Sequence, residues 1–279
     1  LFTQKNKLNF LNSLLPSDMR YFIVLLKLLL IVISTSFFYL ITVLGLLFSL
    51  VGFPGRKWIA FFLSIWGSVI CKIIGIDINV IGVAPKPPFF LVSNHLSYID
   101  IFLLISKTRS VFIAKNEVLS WPIFGFMSNT LGMLFVDRNR IRDVTRVNEQ
   151  ISRRISDAQG ILLFPEGTTS NGSKILPFKA SLLAYPADID MPVYFATIRY
   201  STPDNESLAS DKVCWWTDES FPSHFIELLK LKRINATIHF GDKPIVSDDR
   251  KVLAKTLHEK ANKQFIPVTN NEVSKIKTN

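Results

Sequence analysis

Cysteine is scarce in this chain: Cys71 and Cys214 are the only two in 279 residues. With Cys71 inside an apolar stretch, a disulfide framework is excluded, which fits a reducing compartment. Histidine is nearly as sparse. The four copies (His95, His224, His239 and His258) stand far apart, with no metal-ligand spacing around any of them. The chain has no Gly-x-Ser-x-Gly elbow, no His-Glu-x-x-His, no Cys-x-x-Cys and no Gly-x-Gly-x-x-Gly. A serine hydrolase, a zinc enzyme and a nucleotide-binding fold therefore lose their usual sequence support. Charge is also missing locally, with no charged residue between Leu28 and Gly55.

Apolar and cationic residues are plentiful instead. Hydrophobic residues make up 48% of the chain, and 32 Lys+Arg against 22 Asp+Glu leave a formal charge of +10. Mean hydropathy is +0.29, high for a soluble protein. A basic balance suits nucleic acid, anionic lipid or an acidic substrate. The apolar excess tips this toward lipid. No Lys/Arg-rich run interleaved with aromatics and no zinc-finger spacing supports nucleic acid.

The excess is concentrated near the N-terminus. Leu28 to Val51 is a mainly apolar run of 24 residues. As a helix it reaches about 36 Å, enough to cross a hydrocarbon core of roughly 30 Å. Phe53-Pro54-Gly55-Arg56-Lys57 breaks it. The next run, Trp58 to Cys71, is short for a span and suits an interfacial or re-entrant helix, with Trp58 and Trp66 at headgroup level. The sequence thus predicts a membrane-anchoring region over 1–75, with helices at about 21–51 and 58–74. The competing reading is a buried core helix pair. A cleaved signal peptide fits poorly, because the run is too long and starts too late. Cations stand on both sides of it, so orientation stays open.

After Gly75 short apolar runs alternate with helical patterns. Ile78 to Ile81, Phe89 to Ser93, Val111 to Ala114, Met133 to Val136, Ile161 to Phe164, Val193 to Arg199 and Ala236 to Phe240 read as strands. Ile99 to Ser106, Arg142 to Gln159 and Asp248 to Gln264 read as helices. Strands alternating with helices predict an α/β domain over 76–267, with a mixed, largely parallel sheet flanked by helices. Residues Ser201 to Ser220, polar and irregular apart from Val213-Cys214-Trp215-Trp216, read as a surface insertion, and 268–279 as a polar tail.

Three short blocks carry chemical interest, each at the end of an expected strand. In Ser93-Asn94-His95-Leu96-Ser97-Tyr98-Ile99-Asp100, Ser97 and Asp100 match a helix N-cap pattern. A turn between His95 and Asp100 would let the imidazole fold back on the carboxylate. That pairing is what a general base acting on a hydroxyl requires. Phe164-Pro165-Glu166-Gly167-Thr168-Thr169-Ser170 reads as a turn able to offer N–H groups to an anion. Gly132 to Arg138 sets Arg138 just past a strand, and Lys115 follows another. Cations at strand ends on one sheet edge converge on the crevice where α/β sheets bind ligands, and a phosphate monoester wants such partners. Taken singly, each block also has a plain reading: a surface pair, an ordinary turn, solvated cations.

Together and in order, the blocks resemble the glycerolipid acyltransferase family that includes 1-acylglycerol-3-phosphate acyltransferase. That family carries an Asn-His-x-x-x-x-Asp block, a Gly-x-x-x-(Val/Ile)-x-Arg-like block, a Phe-Pro-Glu-Gly-Thr block and an apolar-Pro-Val block. They stand here as Asn94 to Asp100, Gly132 to Arg138, Phe164 to Thr168 and Met191-Pro192-Val193. The resemblance covers about Gly82 to Arg199. It implies transfer of a fatty acyl group from acyl-CoA or acyl-carrier protein to the free hydroxyl of a lysophospholipid, with lysophosphatidic acid first. His95 would be the base and Asp100 its orienting partner. Arg138, Glu166, Gly167 and Thr168 would form the acceptor side, with Lys115 as an extra phosphate partner. No metal or bound cofactor is implied. The catalytic domain would face the cytoplasm at the cell membrane. Two departures bear on the headgroup: Thr169 stands where the family commonly has Arg, and Ala180-Ser181 where it commonly has Gly. Thr169 keeps a lysophospholipid with another headgroup, or a lyso-amino-lipid, in view as acceptor; a non-catalytic lipid-binding protein is the rival from another class, and a hydrolase using the same His-Asp pair is a third.

Overall fold

A computed structural model describes residues 17–120, 124–136, 149–156, 158–203 and 207–268. Two long helices come first, α1 (Ser17–Ser49) and α2 (Gly55–Ile74). The second starts three residues before the apolar run it contains, because Pro54 precedes Gly55 at its N-terminus, where a missing N–H costs nothing. It ends at Gly75 in the left-handed region, φ 98°.

The chain then lays down β1 (Ile76–Ile81), β2 (Phe90–Ser93), α3 (Ile99–Lys107), β3 (Ser110–Lys115), α4 (Phe124–Thr130), β4 (Leu134–Val136) and β5 (Gly160–Leu163). After these come α5 (Ala184–Asp188), β6 (Val193–Ser201), α6 (Ala209–Lys212), α7 (Phe221–Lys230), β7 (Ile234–Phe240) and α8 (Arg250–Gln264). The seven strands form one sheet in the order β1-β7-β6-β2-β5-β3-β4. The pairings from β6 to β4 are all parallel, β7 runs antiparallel to β6, and β1 is parallel to β7. The sheet is therefore mixed and largely parallel, as the alternation of elements predicts.

Residues of the central strands β2 and β5 are buried on both faces, hence their unbroken apolar runs. Neighbouring residues enter opposite cores. Leu91 and Leu162 pack with Ile99, Leu103 and Leu228 on one side. Phe90, Val92, Ile161 and Leu163 pack with Leu253 and Leu257 on the other. Helices thus cover both faces of the sheet, and α2 contributes to both cores through Ile70 and Ile74 on one side and Ile59 and Leu63 on the other.

Two expectations change. The helix expected over Arg142 to Gln159 is seen at 149–154 and has ended by Ser156, which bridges to Gln159; residues 137–148 lie outside the described residues. Ser201 to Ser220 is not a surface insertion: besides the apolar Val213 and Cys214, Thr202, Ala209 and Ser210 are buried, and Ala209, Val213 and Cys214 join the core beside α3. Val268 is buried and its N–H donates to Gly172 O; 269–279 lie outside the described residues. Trp58 and Trp66, expected at headgroup level, donate their indole N–H groups to Ile41 O and Thr35 Oγ1 of α1, which neither supports nor opposes that reading.

Both helices are long and apolar enough to cross a membrane by length and composition. They differ in packing. In the most apolar window of α1 only 6% of residues are buried, against 39% in α2. A buried core pair is thereby excluded for α1, whose outer face shows Phe22, Leu25, Leu29, Val32, Phe37, Leu40 and Leu47. Both ends of α2 reach the α/β domain. Arg56 bonds Arg153 O near its start. Near its end, Lys27 of α1 donates to Ile74 O, Leu229 O and Leu231 O, tying α1, α2 and α7 at one point.

Candidate active site

Strands β2 and β5 lie side by side and parallel, so their C-terminal ends deliver Asn94-His95 and Pro165-Glu166 to the same sheet edge. Asn94 extends the ladder beyond β2 with its side chain. Its amide donates to Ile198 O at 3.0 Å and accepts from Ile198 N at 2.7 Å, as a peptide unit would. His95 leaves the sheet at that point, and the next three residues turn into α3.

Asp100, in the first turn of α3, is fully buried. Its Oδ2 accepts from His95 Nδ1 at 2.8 Å, Leu96 N at 2.7 Å and Ser97 N at 3.0 Å. Its Oδ1 accepts from the Tyr200 hydroxyl at 2.6 Å. Four donors offset the cost of burying the charge. Half of the expected N-cap box forms: the carboxylate reaches the Ser97 N–H, while Ser97 Oγ is buried without a partner among the described residues. Burial and the Asp100 carboxylate hold the Tyr200 hydroxyl well above the usual phenol range, so it stays a donor.

An acceptor-only carboxylate at Nδ1 fixes that nitrogen as the protonated one and leaves the Nε2 lone pair as the basic position. The ring is held flat against Phe164, with centroids 4.0 Å apart and planes 13° apart. His95 keeps 18% of its side-chain surface exposed, whereas the Asp100 side chain has none.

Glu166 lies behind this pair rather than in the opening. Its Oε1 accepts from His95 N at 2.8 Å and its Oε2 from Leu176 N at 2.9 Å. Burial pushes its carboxyl up to about 8, against the pull of those two donors. Gly167 follows with φ 76°, a conformation that favours glycine, and its N–H closes the turn on Phe164 O. Thr168 is exposed at the rim. The N–H groups of Thr168 and Thr169 have no backbone acceptor among the described residues. The Thr169 hydroxyl donates to Trp215 O, and Trp215 N donates to Leu96 O at 2.8 Å. The segment read as an insertion thus clasps the histidine loop.

Lys115 closes β3, beside β5 on the same edge. Arg138 follows two residues after β4 and lies outside the described residues. Among the described residues no His/Cys/Asp/Glu group is arranged to hold a metal, and both cysteines are buried thiols.

Tyr200, Phe164 and Trp215 escaped the sequence reading as site residues. Tyr200 had a signal: it continues the alternation of Ala196 and Ile198 toward the α3 face.

Comparison with known proteins agrees with this geometry. The Acyltransferase family model matches residues 77–200. The chain is 38% identical over 133 residues to the lyso-ornithine lipid O-acyltransferase of Rhizobium meliloti, covering 47% of this chain and 44% of that protein. It is 32% identical over 197 residues to the enzyme of the same name from Rhodobacter capsulatus, covering 67% and 70%. To the 1-acyl-sn-glycerol-3-phosphate acyltransferase of Neisseria meningitidis it is 30% identical over 176 residues, covering 62% and 68%. The chain thus spans under half of the first relative's length and about two thirds of the other two. The crystal structure of the 1-acyl-sn-glycerophosphate (LPA) acyltransferase PlsC of Thermotoga maritima superposes with TM-score 0.60 at 18% identity, covering 88% of this chain and 97% of that one, which shows the fold. The chain belongs to the acyltransferase family whose members include these lysophosphatidic acid and lyso-ornithine lipid acyltransferases.

Proposed function

We propose that this chain moves a fatty acyl group from acyl-CoA or acyl-carrier protein onto the free hydroxyl of a lysolipid at a membrane surface. The observation that carries the reading is the 2.8 Å pairing of His95 Nδ1 with the buried Asp100 carboxylate. Nε2 takes the acceptor hydroxyl proton as the oxygen attacks the thioester carbonyl. Asp100 stabilises the imidazolium, which then returns the proton to the departing thiolate. The thioester is already activated, so no covalent acyl-enzyme is needed. The N–H groups of Thr168 and Thr169 are the candidate donors to the oxyanion. In this account Glu166 positions His95 and does not touch substrate.

Two acceptors are each supported by an observation. Lysophosphatidic acid, the first reading, is supported by Lys115 at the catalytic edge, by Arg138 in the Gly132–Arg138 block, and by the Neisseria relative. A lyso-ornithine lipid is supported by Thr169, whose hydroxyl is spent on Trp215 O where the family's arginine would stand, and by the Rhizobium and Rhodobacter relatives. The lipid would be met at the outer face of α1. Because α2 is held to the domain at both ends, the hairpin suits insertion along one leaflet better than a crossing. The two free cysteines suit the cytoplasmic face.

The test is purified protein with a panel of lysolipids, acyl-CoA and acyl-carrier protein. Acceptor- and thioester-dependent formation of a diacyl product is expected. Release of free fatty acid without an acceptor would make the chain a hydrolase. Lipid binding without turnover would make it a non-catalytic binder.

A further inference from the structure

A groove of about 550 Å³ opens between the α1–α2 turn and the α/β domain. Its walls include Leu46, Phe53 and Leu131, and its cations are Arg56, Lys57 and Arg154. It is not the catalytic site. Leu131 precedes β4, and Ala158 and Gln159, also on its wall, precede β5. These are the N-terminal ends of the parallel strands, whereas His95 and Glu166 stand at the C-terminal ends. The groove and the site therefore lie on opposite edges of the sheet.

The cations are arranged as if a charge were missing between them. The Arg154 guanidinium occupies the space that a Cβ on Gly132 would need, so it is held against the backbone there. It is half-buried, and burial and the neighbouring Arg56 both lower its pKa. Among the described residues no carboxylate forms an ion pair with Arg56, Lys57 or Arg154. Two guanidinium groups and an ammonium beside an apolar wall match a phosphate ester carrying hydrocarbon, since Arg binds phosphate through paired N–H donors. A free phosphate would leave the apolar wall without use. The exposed Leu47, Phe48, Leu50 and Val51 continue that wall outward along the end of α1, the direction from which a membrane lipid would come.

We propose that this groove binds the headgroup and first methylenes of an anionic phospholipid, as a second lipid site separate from the catalytic edge. The proposal rests on the reading that the α1–α2 hairpin lies in the membrane surface. Bound there, the lipid would fix the depth and tilt of the domain, with several cations at headgroup level.

The experiment titrates the detergent-solubilised full chain with dihexanoylphosphatidylglycerol, dihexanoylphosphatidylcholine or inorganic phosphate, reading binding by calorimetry. Arg154→Gln, Lys57→Gln and a charge-matched control on α8, Lys251→Gln, are compared. Lys57 is exposed, so its variant stays informative if Arg154→Gln folds poorly. The phosphatidylglycerol is expected to bind best. Arg154→Gln or Lys57→Gln should weaken it by about tenfold, the loss expected for one charge-assisted hydrogen bond, with Lys251→Gln unchanged. Equal binding of the phosphatidylcholine, equal binding of phosphate alone, or an equal loss in the control would overturn the proposal. Sedimentation of the wild-type chain with phosphatidylcholine vesicles separately tests the hairpin reading: failure there with intact groove binding rejects the hairpin's insertion and leaves the anion site standing.

Discussion

The Tyr200 hydroxyl donates at 2.6 Å to Oδ1 of Asp100, the one carboxylate oxygen that His95 does not use. A residue at the far end of β6 therefore helps to set the direction of the His95–Asp100 pair. Tyr200→Phe removes that donor and leaves the ring in place. A hydrogen bond to a charged group is worth about 1.5–3 kcal/mol. Because Tyr200 acts through Asp100, kcat should fall by about tenfold or more with KM for both substrates little changed. Steady-state kinetics on the folded variant checks this, and an unchanged kcat would remove Tyr200 from the account.

Glu166 predicts a pH effect on stability. Its folded carboxyl is raised from 4.5 to about 8 by burial. The folded state thus keeps a proton that the unfolded state has lost. The group's stabilising contribution is complete below the unfolded value and is lost as pH rises through about 8. The unfolding midpoint should fall between about pH 5 and pH 9, and Glu166→Gln should flatten that fall. The same variant should lose activity, because an amide N–H₂ cannot accept from the His95 or Leu176 N–H, as each oxygen of the carboxyl group does whether or not it carries a proton. A slope preserved in Glu166→Gln would assign it to other groups.

Lys27 of α1 reaches the domain, and its ammonium caps Ile74 O, Leu229 O and Leu231 O at 2.8–3.0 Å. Cations beside the last carbonyls of helices are favourable. Lys27→Met keeps the stem and deletes the donors. Unfolding in detergent should show a loss of about 2–4 kcal/mol, with the chemistry of the folded fraction intact. A neutral result would mean that α1 is held by apolar contact alone.

The exposed apolar face of α1 predicts that the protein stays with membranes through a wash in about 1 M salt, since screening weakens only the electrostatic part of adsorption. Release by salt alone would remove the hairpin from the bilayer.

Much of this fold was legible in the sequence. All seven strands announce themselves because β2 and β5 are continuous apolar runs buried on both faces, and β7 alternates along its length. The fold-back of His95 on Asp100 followed from a helix start between them. What stayed hidden depends on distant partners. Nothing near Tyr200 in sequence signals a carboxylate 100 residues away. Val213 and Cys214 stood out as apolar, but the burial of Ala209 and Ser210 did not show, because it is created by distant elements and not by their neighbours. Glu166 entered the site only through the family resemblance, and its bond to His95 N could not be read from the residues around it. Only the register of β2 on β5 turns it beneath His95.

The central claim is that His95, oriented by Asp100, removes the acceptor proton. A placed imidazole contributes about 10²–10⁴-fold to such a step. The most direct measurement is the initial rate of thioester-dependent lysolipid acylation for wild type, His95→Ala and Asp100→Asn, with circular dichroism and vesicle sedimentation as controls for fold and lipid association. The account predicts that folded, membrane-associated His95→Ala has no detectable transfer, and that Asp100→Asn, which keeps a hydrogen bond but loses the charge that stabilises the imidazolium, retains only a trace. Near wild-type turnover in folded His95→Ala would contradict it.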